Sequence, residues 1–120
     1  MSGEIEKRRH HRFMALLEVR VRSGPAASAD GLKLVTLDVA LGGARCACNR
    51  ELPAGTSLHL VLTLEGGGLN APLPIDLDAT VLRCRETPGP DPARSYEAAL
   101  QFVRIDPQDR KRLQSYLNDL

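Results

Sequence analysis

A chain of 120 residues with a formal net charge of +1 makes one small domain around a single core, and excludes a nucleic-acid coat built on overall positive charge. Its few aromatics, Phe13, Tyr96, Phe102 and Tyr116, are too sparse for the stacking platforms of a single-strand binder. No apolar run approaches the ~20 residues of a membrane span, and three cysteines without a signal-peptide pattern point to a reducing cytoplasm.

Residues 1–6 are polar and read as a loose start. Residues 7–12, Lys7-Arg8-Arg9-His10-His11-Arg12, concentrate the positive charge and show no helical apolar spacing. A focused anion site follows from that concentration. From Leu17, Val19 and Val21 alternate with Glu18, Arg20 and Arg22, the pattern of a half-buried strand. Residues 23–31, rich in Gly, Pro, Ala and Ser, form a loop.

Residues 32–39 read as a second strand anchored by Leu34 and Val35, with Asp38 near its end and the Gly42-Gly43 pair turning the chain. A third strand covers 44–48, and a turn follows at 51–55. Leu58, Leu60, Leu62 and Leu64 mark a fourth strand, and the triple glycine at 66–68 marks a long hairpin loop. Ile75, Leu77, Ala79 and Val81 mark a fifth strand, reaching toward Arg85. A proline-rich loop then leads into a sixth strand at 96–103. Asp106-Pro107 pairs a good N-cap with a good first helical residue. Leu113, Tyr116, Leu117 and Leu120 give the helix that follows one apolar stripe.

The expected fold is mainly β: a six-stranded antiparallel β-barrel with a C-terminal α-helix. It divides into a flexible basic N-terminal segment over 1–16, a barrel over 17–105 and a helix over 106–120. Closing the sheet removes its exposed edges.

Two stretches carry the chemistry. If the basic segment is extended, Arg8 and Arg12 stand up to ~13 Å apart, a span that fits a dinucleotide-sized ligand. A guanidinium fork binds phosphate or the O6/N7 edge of guanine in a bidentate way. A carboxylate such as Asp38 accepts from the N1 and N2 donors on guanine's other edge. Gly43 allows a close backbone approach or a positive φ angle. Arg9 is a supporting charge.

Arg8-x-x-x-Arg12 before a strand, then Asp38-x-Ala40-x-x-Gly43 after the next strand, resembles the RxxxR and (D/N)xSxxG signatures of the PilZ domain. The resemblance extends over nearly the whole chain, including the ending at 100–107 and the helix after it. It implies a bacterial receptor for cyclic di-GMP, with no catalysis and no cofactor besides that ligand. Arg8 and Arg12 would bind guanine and phosphate, Asp38 would read a guanine edge, and Ala40 and Gly43 would close the pocket. A long basic residue before RxxxR, here Lys7, goes in the family with two stacked ligand molecules, so one or two molecules per chain are expected. A downstream protein partner is implied; nucleic acid and membrane are not. The departure is Ala40, where the family has serine. One neutral hydrogen bond is worth about 0.5–1.5 kcal/mol, so its loss weakens binding by up to ~10-fold. The alternative is an interaction module that binds the nucleotide weakly or not at all and docks a protein, for instance through its helix.

Other groupings read more plainly. Cys46, Cys48 and Cys84 with His10 and His11 lack the paired knuckles of common zinc sites, and fit small core cysteines. His59 reads as a surface residue, and Asp76 and Asp78 as solvent-facing charges on one strand. No nucleophile motif, P-loop or HExxH is present.

Overall fold

The computed structural model describes residues 13–23 and 32–120. Among them are seven strands and one α-helix: β1 (Phe13–Met14), β2 (Glu18–Ser23), β3 (Leu34–Ala40), β4 (Gly43–Cys48), β5 (Ser57–Leu64), β6 (Leu73–Glu86), β7 (Tyr96–Ile105) and α1 (Pro107–Asn118). All strand pairings are antiparallel. They run β2–β5–β6–β7–β4–β3 and close when β3 returns to β2, so the sheet is a six-stranded barrel. The seventh strand, β1, lies along β3 just ahead of β2.

The alternating pattern fills the barrel. Leu58, Leu60, Leu62 and Leu64 of β5 meet Ile75, Leu77, Ala79 and Val81 of β6 in one buried cluster with Leu17, Val19, Cys46, Cys48, Ala98 and Leu100. Helix α1 adds Leu113, Tyr116 and Leu117 to the same core. Asp106 caps it as its sequence suggests, accepting from the Gln108 N–H at 2.9 Å with Pro107 in the first turn. The Tyr116 hydroxyl donates to the Glu65 carbonyl at 2.6 Å and ties the helix to the β5–β6 hairpin loop. In that loop Gly67 sits at φ +59°, and a Cβ there would lie 2.9 Å from the Tyr116 ring. Backbone conformation and space both ask for glycine.

The expected elements are present with shifted limits. β3 runs through Ala40, β4 starts at Gly43, β6 extends over 14 residues and β7 reaches Ile105. Val35 is only half-buried; the interior anchors of β3 are Leu34, Thr36 and Val39. Val35 faces away by simple alternation with Leu34 and Thr36, and the switch to Val39 comes from a β-bulge. Thr36 pairs with Cys46 but Asp38 pairs with Arg45, so one residue of β3 is skipped. Leu34 and Thr36 face the core before the bulge, and Val39 faces it afterwards. That single insertion exchanges the two faces of the strand.

The β1 strand was not foreseen. Phe13 pairs with Val39 and Met14 with Asp38. The chain then steps from β1 to β2 around Thr36. Its hydroxyl accepts from the Leu17 N–H at 2.8 Å and donates to the Ala15 carbonyl at 2.5 Å. A buried threonine thus satisfies the backbone groups that the step would otherwise leave without partners.

Candidate functional site

The bulge in β3 decides where Asp38 points. Strict alternation from Leu34 and Thr36 would turn Asp38 into the barrel. After the bulge it lies on the outer face instead, cross-strand from Arg45. Its side chain is nevertheless only 9% exposed, because neighbours cover it. Arg45 Nε donates to Asp38 Oδ2 at 2.9 Å, and Arg45 Nη1 donates to Glu97 Oε2 at 2.8 Å. Arg85 Nη2 stands 3.6 Å from Glu97 Oε1. The outer surface of β3, β4, β7 and β6 therefore carries a row of alternating charges: Asp38, Arg45, Glu97, Arg85.

The row tunes its own members. The hydrogen bonds to Glu97 and then to Asp38 raise the Arg45 pKa above its ordinary value. The Arg45 hydrogen bond holds Glu97 below the usual carboxylate range, with Arg85 adding to the effect. Arg45 escaped the sequence reading. The signal was a single arginine in a strand of small residues, Gly43-Ala44-Arg45-Cys46-Ala47-Cys48, paired with the one acid of the preceding strand.

Asp38, Ala40 and Gly43 stand together at the β3–β4 hairpin, whose turn is Leu41-Gly42 rather than the glycine pair. Ala40 pairs with Gly43 and is half-buried. Gly43 takes no positive φ. Its role is close approach, since a Cβ at this position would lie against the Leu100 carbonyl oxygen of β7. Phe102 N–H donates to the Gly42 carbonyl at 2.9 Å and holds the turn against β7.

Met14, cross-strand from Asp38, is 90% exposed, and Leu16 is exposed beside it. Both supply apolar surface at the edge of the charged row. Lys7, Arg8, Arg9 and Arg12 lie outside the described residues, as do His10 and His11.

The remaining groupings resolve simply. Cys46 and Cys48 are buried in the core, and burial pushes both thiols up to about 12, so neither is a nucleophile at neutral pH. His59 is half-exposed. Its Nε2 lies 3.2 Å from Asp76 Oδ1 and its Nδ1 3.7 Å from Asp78 Oδ1, so these two acids of β6 flank it. Among the described residues no group of three His, Cys, Asp or Glu is arranged to hold a metal ion. No helix there is long and apolar enough to cross a membrane.

Comparison with known proteins agrees with this fold. A family model for the PilZ domain matches residues 6–119. A solved structure of the Bacillus subtilis inhibitor of motility, MotI/DgrA, superposes with a TM-score of 0.72 at 20% identity. That match covers 92% of this chain and 48% of the other, so the chain spans about half the length of MotI. The PilZ domain of YcgR from Escherichia coli, solved with c-di-GMP, superposes with a TM-score of 0.68 at 18% identity, covering 95% of this chain and 91% of that one. No curated protein matches the sequence.

Proposed function

The chain belongs to the PilZ domain family, the class of cyclic di-GMP receptors, and on that footing we propose that it binds cyclic di-GMP across the outer face at the β3–β4 hairpin. Arg8 and Arg12 grip guanine and phosphate, with Lys7 and Arg9 in support. Asp38 accepts from the Watson–Crick edge of a guanine, and Ala40 and Gly43 line the floor. Binding orders the arginine segment against the barrel, and a protein partner in the cytoplasm reads the new surface.

The observation that carries this reading is the register of β1. Phe13 pairs with Val39 and Met14 with Asp38. Arg12 is bonded to Phe13, so its Cα lies ~3.8 Å from the start of β1. On this reading, the chain's own connection keeps the second arginine of RxxxR within reach of the Asp38–Gly43 hairpin. An extended segment then sets Arg8 up to ~13 Å from Arg12, a separation that suits a dinucleotide-sized ligand. Bound c-di-GMP in the YcgR PilZ domain adds weight.

Calorimetric titration tests it. Saturable heat with cyclic di-GMP, absent with GMP or GTP, is the expected result; silence at high ligand concentration removes the reading. A second reading, a docking module that has lost the nucleotide, is favoured by one observation, Ala40 in place of serine. Partners captured equally well with and without cyclic di-GMP would support it.

A further inference from the structure

Strand β4 ends before β7 does. Gly43 pairs with Gln101, and past that point no strand among the described residues covers β7 on the side away from β6. Residues 103–105 thus present an open strand edge. Beside the edge is a pocket of about 440 Å³, walled by the Leu41-Gly42 turn, by Phe102 to Ile105 and by Arg110 from the first turns of α1. The pocket combines an apolar floor with cations. Leu41 and Phe102 are packed on the core side, while Val103 is 58% exposed. Arg104 and Arg110 are both exposed. Among the described residues neither forms an ion pair, whereas nearby Arg112 is paired with Asp109 at 2.8 Å. The acids Asp76, Asp78, Asp106 and Asp109 border a second pocket, which Arg104 and Ile105 also line.

We propose that this edge and pocket dock an extended acidic peptide of a partner protein. The peptide pairs with β7 alongside residues 103–105, places an apolar side chain on Leu41 and Phe102, and sets its carboxylates against Arg104 and Arg110. Main-chain pairing supplies affinity in such strand addition, and pockets for alternate side chains supply selectivity. Two guanidiniums without an ion pair among the described residues favour an acidic sequence over a basic one. The groove rests on its own geometry. Its coupling to nucleotide, through the Leu41-Gly42 turn that it shares with the candidate ligand site, rests on the reading above.

The test uses the full chain without nucleotide. A fluorescein-labelled heptapeptide of alternating Glu and Val is titrated by anisotropy, beside its Lys-Val counterpart and a version N-methylated at alternate residues. The acidic peptide should bind saturably, with backbone amide shifts at residues 102–105 in two-dimensional NMR. The Lys-Val and N-methylated peptides should bind at least ~10-fold more weakly, as should the R104E/R110E variant with the acidic peptide, since each change removes charge-assisted contacts or main-chain pairing. Absence of binding, equal binding of the Lys-Val peptide, or indifference to R104E/R110E would overturn the proposal. So would loss of cyclic di-GMP binding in R104E/R110E together with displacement of the peptide by the nucleotide, because the pocket would then belong to that ligand. Peptide binding by a chain that takes no cyclic di-GMP would uphold the groove and remove only the ligand reading.

Discussion

Arg45 Nε stands 2.9 Å from Asp38 Oδ2 across the β3–β4 hairpin, and the same guanidinium reaches Glu97 at 2.8 Å. A carboxylate covered to this degree needs cationic or donor partners, because a charge left alone in a desolvated place is costly. Arg45 therefore fixes the orientation of the acid that the ligand is proposed to meet. Arg45→Met should lower cyclic di-GMP affinity by about 1–2 kcal/mol, or ~5–30-fold, since hydrogen bonds to charged groups are worth about 1.5–3 kcal/mol and Asp38 keeps part of its environment. Calorimetry on the variant reads this directly; unchanged affinity would remove Arg45 from the site.

Ala40→Ser returns a hydroxyl to the half-buried position two residues after Asp38. A neutral hydrogen bond contributes about 0.5–1.5 kcal/mol, so affinity should tighten by ~2–13-fold. An unaltered Kd would mean that the ligand does not contact this side chain.

Gly43→Ala places a methyl group against the Leu100 carbonyl of β7, which is backbone and cannot rotate away. The β4–β7 ladder must open locally, at about 1–3 kcal/mol, the range for overpacking. Thermal unfolding should show a Tm several degrees lower. A normal Tm would mean that β4 and β7 tolerate a wider spacing than the structure has.

Thr36→Val keeps the shape of the side chain and deletes the hydroxyl that serves Leu17 N–H and Ala15 O. Leaving buried backbone groups without partners costs about 1–3 kcal/mol each, so urea unfolding should shift to a clearly lower midpoint while Thr36→Ser retains more stability. Equal midpoints for the valine variant and the parent would show that water serves those groups.

Glu97 gives a pH dependence with a definite sign. Its folded-state pKa lies below the ordinary 4.5, chiefly through the Arg45 hydrogen bond. The unfolded chain therefore takes up the proton first, and the stability contributed by Glu97 is complete above about pH 4.5 and lost as pH falls through the lower folded value. Glu97→Gln should flatten the acid limb of the stability curve below pH ~4.5, the ordinary glutamate range, and leave the neutral range parallel to the parent. An acid limb of unchanged slope would rule out this linkage.

The barrel was legible because Leu58 to Leu64 and Ile75 to Val81 alternate at the strand period, and the helix because Asp106-Pro107 opens an apolar stripe. Three features were not. β1 has two residues, too short for any period to appear. The β3 bulge reverses the alternation after Thr36, so a strict period from Leu34 points Asp38 inward where Val39 in fact faces the core, and the inward Thr36 is polar while the outward Val35 is apolar. Arg45 matters only through a cross-strand register, which local spacing does not encode. Asp38, Ala40 and Gly43 were legible as a grouping because a hairpin keeps sequence neighbours together.

The central claim is that the arginines of residues 8–12 and the Asp38 hairpin hold one cyclic di-GMP site. The most direct measurement is a calorimetric titration of the parent chain and of Arg12→Ala with cyclic di-GMP at two salt concentrations. The parent should bind saturably and more weakly at the higher salt, and the variant should lose about 1.5–3 kcal/mol, ~10-fold or more. Heat absent from the parent, or binding of equal strength in Arg12→Ala, would contradict the claim.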